Sequence, residues 1–147
     1  MAETRHATAN WSGNLTEGSG MLQYISSGAF SRMPITWSSR TSGHEGRTSP
    51  EELLAAAHAS CFAMAFSNQL AKNGTVADKI DVRVEVTADK LEAGWTVISS
   101  AIKVTGVVPG IDAETFRKLA EAAKDGCPIS RAIAGNVELT VEATLAS

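Results

Sequence analysis

The sequence predicts an α+β domain with a largely antiparallel sheet, because strand signals are grouped apart from a few long helix signals. Alternating apolar and polar residues mark short strands near both ends of the chain, and one long, well-capped helix signal lies between them. The predicted order is three strands, a helix, two strands, a helix and a strand. A chain of 147 residues suits one domain, so we expect a single domain over residues 1–147.

The first fifty residues are rich in serine, glycine and threonine and predict three short strands. Apolar and polar residues alternate over residues 6–11, and Gly13 then opens a Gly-Asn turn signal. We expect the second strand at residues 21–25 and the third at residues 35–41. Residues 42–49 contain two glycines and no apolar residue, which indicates a surface loop.

The first helix is the best-marked element of the chain. Ser49 is a suitable N-cap, Pro50 occupies the first helical position, and Glu52 follows three residues after the cap. The helix-favouring run ends at the Asn73-Gly74 signal. Apolar residues occupy almost every face at the start of this helix, which predicts burial most of the way round. Such burial requires either a second long helix with a sheet, or another subunit.

The second half of the chain carries the remaining signals. Asp112 is a suitable cap for the second long helix, and Gly126 marks the end of that helix. The predicted elements are a strand at 80–87, its hairpin partner at 95–104, a helix at 113–125, a helical turn at 127–134 and a last strand at 137–145.

Charge and hydropathy exclude several classes of protein. Thirteen basic and sixteen acidic residues give a net charge of −3, which argues against a nucleic-acid partner bound through a basic face. The longest weakly polar stretch, residues 53–70, carries several polar side chains and does not predict a membrane span. The first ten residues lack the apolar core of a secretory signal. We therefore expect a cytoplasmic protein with no membrane partner.

Two cysteines, Cys61 and Cys127, are the main chemical feature. They are too few for a disulfide scaffold, so they are either inert core residues or a redox couple. Cys61 lies twelve residues after Ser49, where the helix dipole has little effect, and its apolar neighbours favour the neutral thiol. A functional Cys61 therefore requires a cation beside it.

The loop before the helix offers three candidate cations, Arg40, His44 and Arg47. Arginine is the stronger choice, because it stays charged and its forked guanidinium can hold a thiolate and a carboxylate together. The alternative for each is an ordinary solvated charge on a loop.

Cys127 lies at the predicted start of a helical turn, between a glycine and Pro128. Free backbone N–H groups at such a position favour a thiolate, although the residue could also serve as a plain cap. A metal site is not expected, because His58 and Cys61 supply two ligands at most and no second pair has zinc spacing. We likewise expect no cofactor.

Several blocks of the sequence resemble those of the OsmC-type hydroperoxide reductases, a family of thiol peroxidases. Residues 48–62 (TSPEELLAAAHASCF) resemble the family signature around its reactive cysteine. Residues 108–112 (VPGID) and 126–130 (GCPIS) resemble later blocks, and residues 9–13 (ANWSG) resemble the opening of the chain. The similarity extends over essentially the whole chain, with both cysteines in register.

The resemblance implies an OsmC-like α+β fold with an antiparallel sheet and two long central helices, assembled as an intertwined homodimer. It implies a cysteine-based peroxidase that reduces organic hydroperoxides, and hydrogen peroxide more weakly, in response to oxidative or osmotic stress. By resemblance, Cys61 is the peroxidatic cysteine, Cys127 the resolving cysteine, Arg40 the active-site arginine and Glu51 its carboxylate partner. A Cys61–Cys127 disulfide would then form and be recycled by an external dithiol.

Two further details concern Arg40 and Glu51. Thr41-Ser42 stands after Arg40 where the family more often has Phe-Glu, and the expected place of Arg40 in the third strand favours the OsmC type over the Ohr type. On a continuous helix, Glu51 and Cys61 are separated by about 15 Å of rise. Either the helix is broken, or Glu51 is supplied by the other subunit, and we predict the second.

Two rival functions keep the same fold. In the first, the protein is a non-catalytic stress protein that binds a small hydrophobic ligand in its apolar cleft, and both thiols are passive. In the second, it is a peroxide sensor that passes its disulfide to a partner protein.

Overall fold

A computed structural model of the chain describes residues 1–43 and 45–147. The chain divides into two compact units, Met1–Leu53 and Leu54–Ser147. The elements, in chain order, are β1 (Ala7–Ser12), β2 (Ser19–Ile25), β3 (Ser31–Ile35), α1 (Trp37–Thr41), α2 (Pro50–Lys72), β4 (Lys79–Leu91), β5 (Gly94–Val107), α3 (Ala113–Gly126), α4 (Pro128–Ile133) and β6 (Glu138–Leu145). The α+β class is confirmed. Among the described residues, no helix combines the length and hydropathy that crossing a membrane requires.

The first unit contains a three-stranded antiparallel sheet in the order β1-β2-β3. The two predicted strands at its start are confirmed, with Ala7 opposite Ile25 and Ser12 opposite Ser19. A register shift after Thr8 bends β1 against β2.

The predicted third strand at residues 35–41 is wrong. β3 ends at Ile35, and the residues after it form the short helix α1. The cause is a reciprocal capping box: Thr36 Oγ1 accepts a hydrogen bond from the Ser39 N–H, and Ser39 Oγ accepts one from the Thr36 N–H. Arg40 therefore lies on a helix, and the argument for the OsmC type from its place in a strand fails.

The long helix α2 is confirmed and unbroken from Pro50 to Lys72. Ser49 Oγ accepts a hydrogen bond from the Glu52 N–H at 3.1 Å, so Ser49 is the cap that the sequence predicts. The fully buried residues of α2 recur every four positions and form one face: His58, Phe62, Phe66 and Leu70. Met64 is 68% exposed, so the predicted burial most of the way round is not reached within the described residues.

The second unit contains a sheet in the order β4-β5-β6. β4 and β5 form the predicted antiparallel hairpin, whereas β5 and β6 are parallel, from Ser99 opposite Glu138 to Gly106 opposite Leu145. This parallel pair departs from the expected antiparallel sheet. Its cause is the helical connection: α3 and α4 return the chain to the same end of the sheet before β6 begins.

The core of the second unit is built around three phenylalanines. Phe66 packs against Phe62 and, edge to face, against Phe116 at a ring-centroid distance of 5.0 Å. A Cβ on Gly106 would lie 2.7 Å from the Phe116 ring, so only glycine allows α3 to approach β5 this closely. Phe62, which precedes the core residues Phe66 and Leu70 on the same face of α2, directly follows Cys61 in the chain.

Candidate active site

Cys61 and Cys127 meet within the second unit. Cys61 lies on α2 and is partly buried, whereas Cys127 is fully buried at the junction of α3 and α4. Both are free thiols, and they lie near enough for each to shift the pKa of the other. Two cysteines that are 66 positions apart in sequence thus become neighbours in the fold.

Hydrogen bonds favour the thiolate at Cys127. Burial opposes ionisation there, but donors outweigh it and lower the pKa of Cys127 below the ordinary value for a thiol. These donors are the Cys61 thiol, the N–H and hydroxyl of Ser130, and the Ile129 N–H. The backbone donors belong to the first turn of α4, where Pro128 occupies the first position. The interpretation of residues 127–134 as a helical turn with free N–H groups at its start is confirmed.

Cys61 has the opposite tendency. Burial raises its pKa, the hydrogen bond to Cys127 raises it further, and the Ile129 N–H offsets part of this increase. None of these groups is a cation. Within residues 54–147, as the structure describes them, the pKa of Cys127 therefore lies below that of Cys61.

A buried histidine network adjoins the two cysteines, and the sequence alone did not reveal it. His58 is fully buried on α2, with Nδ1 at 2.7 Å from Ser100 Oγ and Nε2 at 2.7 Å from Ser130 Oγ. Burial lowers the pKa of His58, so the ring is neutral. The sequence carried one usable signal, a histidine on the apolar face of a helix one turn before a cysteine. Its two serine partners are too remote in sequence to be inferred.

Arg40 and Glu51 form a close ion pair within the first unit. Arg40 Nε and Nη2 each lie 2.8 Å from Glu51 Oε1. The carboxylate side chain is only 11% exposed, so the pair is better shielded from water than a surface salt bridge. The guanidinium also lies 5.8 Å from the centre of the Trp37 ring, which helps to fix its plane.

An open, apolar cavity of about 270 Å³ lies beside this ion pair. Trp11, Leu15, Ile35 and Trp37 contribute to its wall, and Arg40 supplies its cationic group. All its lining residues belong to the first unit. A cavity of this composition suits a small organic molecule with one polar end.

The other two candidate cations are less informative. Arg47 is exposed on the loop before α2. His44 lies outside the described residues. The four predicted site residues thus occur as two pairs of neighbours, Arg40 with Glu51 and Cys61 with Cys127. Among the residues described, no group of three or more His, Cys, Asp or Glu side chains is arranged to hold a metal ion.

Comparison with known proteins agrees with this architecture. A family described as "OsmC-like protein" matches residues 43–142. The chain is 39% identical over 131 residues to Peroxiredoxin OsmC of Escherichia coli, covering 89% of this chain and 90% of that protein. It is 33% identical over 104 residues to Organic hydroperoxide resistance protein OhrA of Bacillus subtilis, covering 67% of this chain and 68% of that one.

Solved structures share the fold. The crystal structure of the organic hydroperoxide resistance protein OhrB of Bacillus subtilis matches with a TM-score of 0.73 at 24% identity. The match covers 95% of this chain and 98% of that one. With the family match extending over both cysteines and the start of α2, the chain belongs to the OsmC-like protein family.

Proposed function

We propose that this protein is a cysteine-based peroxidase that reduces organic hydroperoxides, and hydrogen peroxide more weakly. The observation that carries the proposal is the proximity of Cys61 and Cys127, two free thiols near enough for each to shift the pKa of the other. The names of the relatives, a peroxiredoxin and an organic hydroperoxide resistance protein, support the same class of reaction.

The proposed reaction has three steps. The Cys61 thiolate attacks the distal oxygen of the hydroperoxide, the O–O bond breaks, and the alcohol leaves after taking up a proton. Cys61 is now a sulfenic acid. The Cys127 thiolate attacks the Cys61 sulfur and displaces hydroxide, which takes up a proton and leaves as water. An external dithiol supplies two electrons and two protons, reduces the disulfide and is itself oxidised.

The second step is the one that the two thiols support best. The two thiols lie near enough for each to shift the pKa of the other, so they are neighbours before any disulfide forms. The lowered pKa of Cys127 increases its share of thiolate, and the thiolate is the nucleophile in this step.

The first step requires a cation that lowers the pKa of Cys61. The groups acting on Cys61 within residues 54–147 favour its neutral form, so the cation must come from elsewhere. We assign this role to Arg40 of a second copy of the chain. Because α2 is unbroken, about 15 Å of helix rise separates Glu51 from Cys61, and a broken helix no longer explains how both serve one site. The proposal therefore includes a homodimer.

The apolar cavity beside Arg40 supports a preference for organic peroxides. Its wall of two tryptophans and two aliphatic side chains would bind the organic group, and the guanidinium would orient the peroxide oxygens. In this scheme Glu51 holds the guanidinium in place through one hydrogen bond from Nε and a close ion-pair contact with Nη2. Hydrogen peroxide has no apolar group to bind, so we expect it to react more slowly.

A thiol count tests the proposal. One equivalent of cumene hydroperoxide should remove both free thiols per chain and produce an intramolecular disulfide, detected by mass spectrometry of the intact protein. Retention of both thiols would support the passive ligand-binding alternative instead. Repeated turnover with excess dithiol should then be fast. Oxidation without such turnover would support a peroxide sensor.

A further inference from the structure

His58 joins three elements of the second unit through two short hydrogen bonds. Its Nδ1 lies 2.7 Å from Ser100 Oγ on β5, and its Nε2 lies 2.7 Å from Ser130 Oγ on α4. All three side chains are enclosed, with His58 and Ser100 at 0% and Ser130 at 1% exposure. Since β5 is the central strand of its sheet, the His58 ring connects α4 to the middle of the second unit.

The short helix α4 depends on this connection. It has six residues, too few for a helix to be stable without tertiary contacts. Of these six residues, all of which the structure describes, Ser130 alone is fully buried. Burial of a hydroxyl is unfavourable unless the hydroxyl is hydrogen-bonded, and the His58 ring meets that requirement. A directional polar bond therefore anchors the most buried position of α4.

This bond lies less than one helical turn from each cysteine. Cys61 follows His58 by three residues on α2. Cys127 precedes Ser130 by three residues and is the N-cap of α4. The Cys127 carbonyl accepts a hydrogen bond from the Arg131 N–H at 2.9 Å, so Cys127 and Ser130 belong to the same helical turn. A shift of α4 at Ser130 would therefore also move Cys127.

We propose that His58 is a positioning residue, whose two hydrogen bonds hold α4 in one place on α2. In this way it keeps Cys127 next to Cys61 while the disulfide forms, a role that rests on the proposed function. In that step the two sulfur atoms bond, the S–O bond of the sulfenic acid breaks, and hydroxide takes up a proton and leaves as water. A satisfied buried network specifies one arrangement, and the closing rate increases with the time that the sulfur atoms spend aligned.

The first test measures disulfide stability without peroxide. Each variant is equilibrated with mixtures of reduced and oxidised dithiothreitol, and intact mass gives the fraction that holds the Cys61–Cys127 disulfide. Ser130→Ala should lower the equilibrium constant for disulfide formation by about fivefold, the effect of losing one buried hydrogen bond. Ser60→Ala, at an exposed position of α2, is the matched control and should keep the wild-type constant. A wild-type constant in Ser130→Ala would overturn the proposal.

Two replacements of His58 separate its two hydrogen bonds. A glutamine amide reaches about as far as Nε2 and can keep the bond to Ser130, whereas an asparagine amide reaches only as far as Nδ1 and can keep the bond to Ser100. His58→Gln should therefore retain most of the wild-type equilibrium constant, and His58→Asn should fall to the value of Ser130→Ala. Equal constants for the two His58 variants would contradict the assigned role.

The second test separates positioning from general loosening of the core. After one equivalent of cumene hydroperoxide, Ser130→Ala should oxidise Cys61 at the wild-type rate but close the disulfide about fivefold more slowly, so dimedone should trap more sulfenic acid. Ile102→Val, two residues from Ser100 on β5, should lower Tm without this change. Equal trapping in Ile102→Val and Ser130→Ala would make the role of the network structural only.

The two tests also separate this proposal from the proposed function. If the peroxide oxidised neither the wild type nor any variant, the peroxidase assignment would fail. The dithiothreitol equilibria would still decide whether His58 positions Cys127, because they need no peroxide. Conversely, a fast peroxidase whose disulfide equilibrium is unchanged in Ser130→Ala and His58→Asn would keep the proposed function and remove His58 from it.

Discussion

The two thiols are neighbours but occupy different surroundings. Cys127 receives several donors and favours the thiolate, whereas burial and the bond to Cys127 favour the neutral form of Cys61. The proposed roles need the reverse order during the first step, when Cys61 must be ionised. The roles can therefore be separated by replacing one sulfur at a time.

We expect Cys61→Ser to abolish peroxidase activity, because the attacking sulfur is lost. We expect Cys127→Ser to allow one oxidation per chain, leaving a sulfenic acid on Cys61 and no disulfide. Trapping with dimedone and intact mass measurement check both outcomes after one equivalent of hydroperoxide. Dimedone labelling of the Cys61→Ser variant at Cys127 would reverse the assignment of roles.

The Arg40 guanidinium is expected to stabilise the Cys61 thiolate and the charge that develops on the peroxide oxygens. Arg40→Ala should slow the oxidation of Cys61 by about a hundredfold, the usual order for removing one preorganised electrostatic partner. The measurement is the rate of thiol loss under single-turnover conditions. Arg47→Ala, which removes an exposed arginine from the neighbouring loop, is the matched control and should react at the wild-type rate. Equal rates for the two variants would remove Arg40 from the mechanism.

At the scale of elements, the sequence predicts most of the fold because the strongest signals are local. Three elements are specified by their own residues. The cap at Ser49 begins α2, the alternation of apolar and polar residues marks β4, and the cap at Asp112 begins α3. α1 was missed because the residues after Ile35 also suit a strand, and a two-residue capping box decided the outcome. The parallel pairing of β5 with β6 depends on how two helices return the chain, which no local pattern encodes.

The residues of the candidate site also differ in how far the sequence predicts them. Cys61 and Glu51 lie in a block that is recognisable in the sequence, and Cys127 follows a glycine and precedes a proline in another such block. His58 could be seen only as a buried histidine. Its partners Ser100 and Ser130 are ordinary residues 42 and 72 positions away, brought together by tertiary packing. Local sequence patterns do not encode contacts between residues so far apart in the chain.

The capping box of α1 is expected to support activity, because this helix carries Arg40. Thr36→Ala removes the acceptor for the Ser39 N–H and should destabilise the start of α1 by about 1 kcal/mol. We expect a slower oxidation of Cys61 with little change in the core of the second unit. Thr36→Ser keeps the acceptor and should restore most of the rate. A slow Thr36→Ser variant would show that the methyl group, rather than the cap, matters.

Asp112 makes the stability of α3 depend on pH. Hydrogen bonds from Thr115, including its N–H at 2.7 Å, hold the pKa of Asp112 below its ordinary value. The folded-state pKa is thus lower than the unfolded one, so this contribution is present above the unfolded pKa and is lost as pH falls through the folded pKa. The difference in Tm between wild type and Asp112→Asn should therefore shrink below about pH 4. A difference that stays constant under acidification would show that the charge of Asp112 contributes nothing.

At the scale of the whole molecule, two features of α2 favour the proposed homodimer. Met64 remains 68% exposed on the helix that carries Cys61, and α2 is unbroken between Glu51 and Cys61. A second copy that covers this helix and supplies its own Arg40 and Glu51 would satisfy both features. In the proposed homodimer, each site would contain Cys61 from one chain and Arg40 from the other, so each chain would be necessary for its partner's chemistry.

This arrangement predicts that two inactive variants restore activity when they are mixed. A Cys61→Ser chain still supplies Arg40, and an Arg40→Ala chain still supplies Cys61, so each mixed dimer holds one complete site. Random reassembly should recover about a quarter of the wild-type peroxidase activity, because about half of the dimers are mixed and each has one of two sites. The measurement is dithiol-coupled turnover after the variants are dissociated and reassembled together, with each variant reassembled alone as the control. If Cys61 and Arg40 of one chain formed the site, a mixed dimer would contain no complete site and the mixture would stay as inactive as its components.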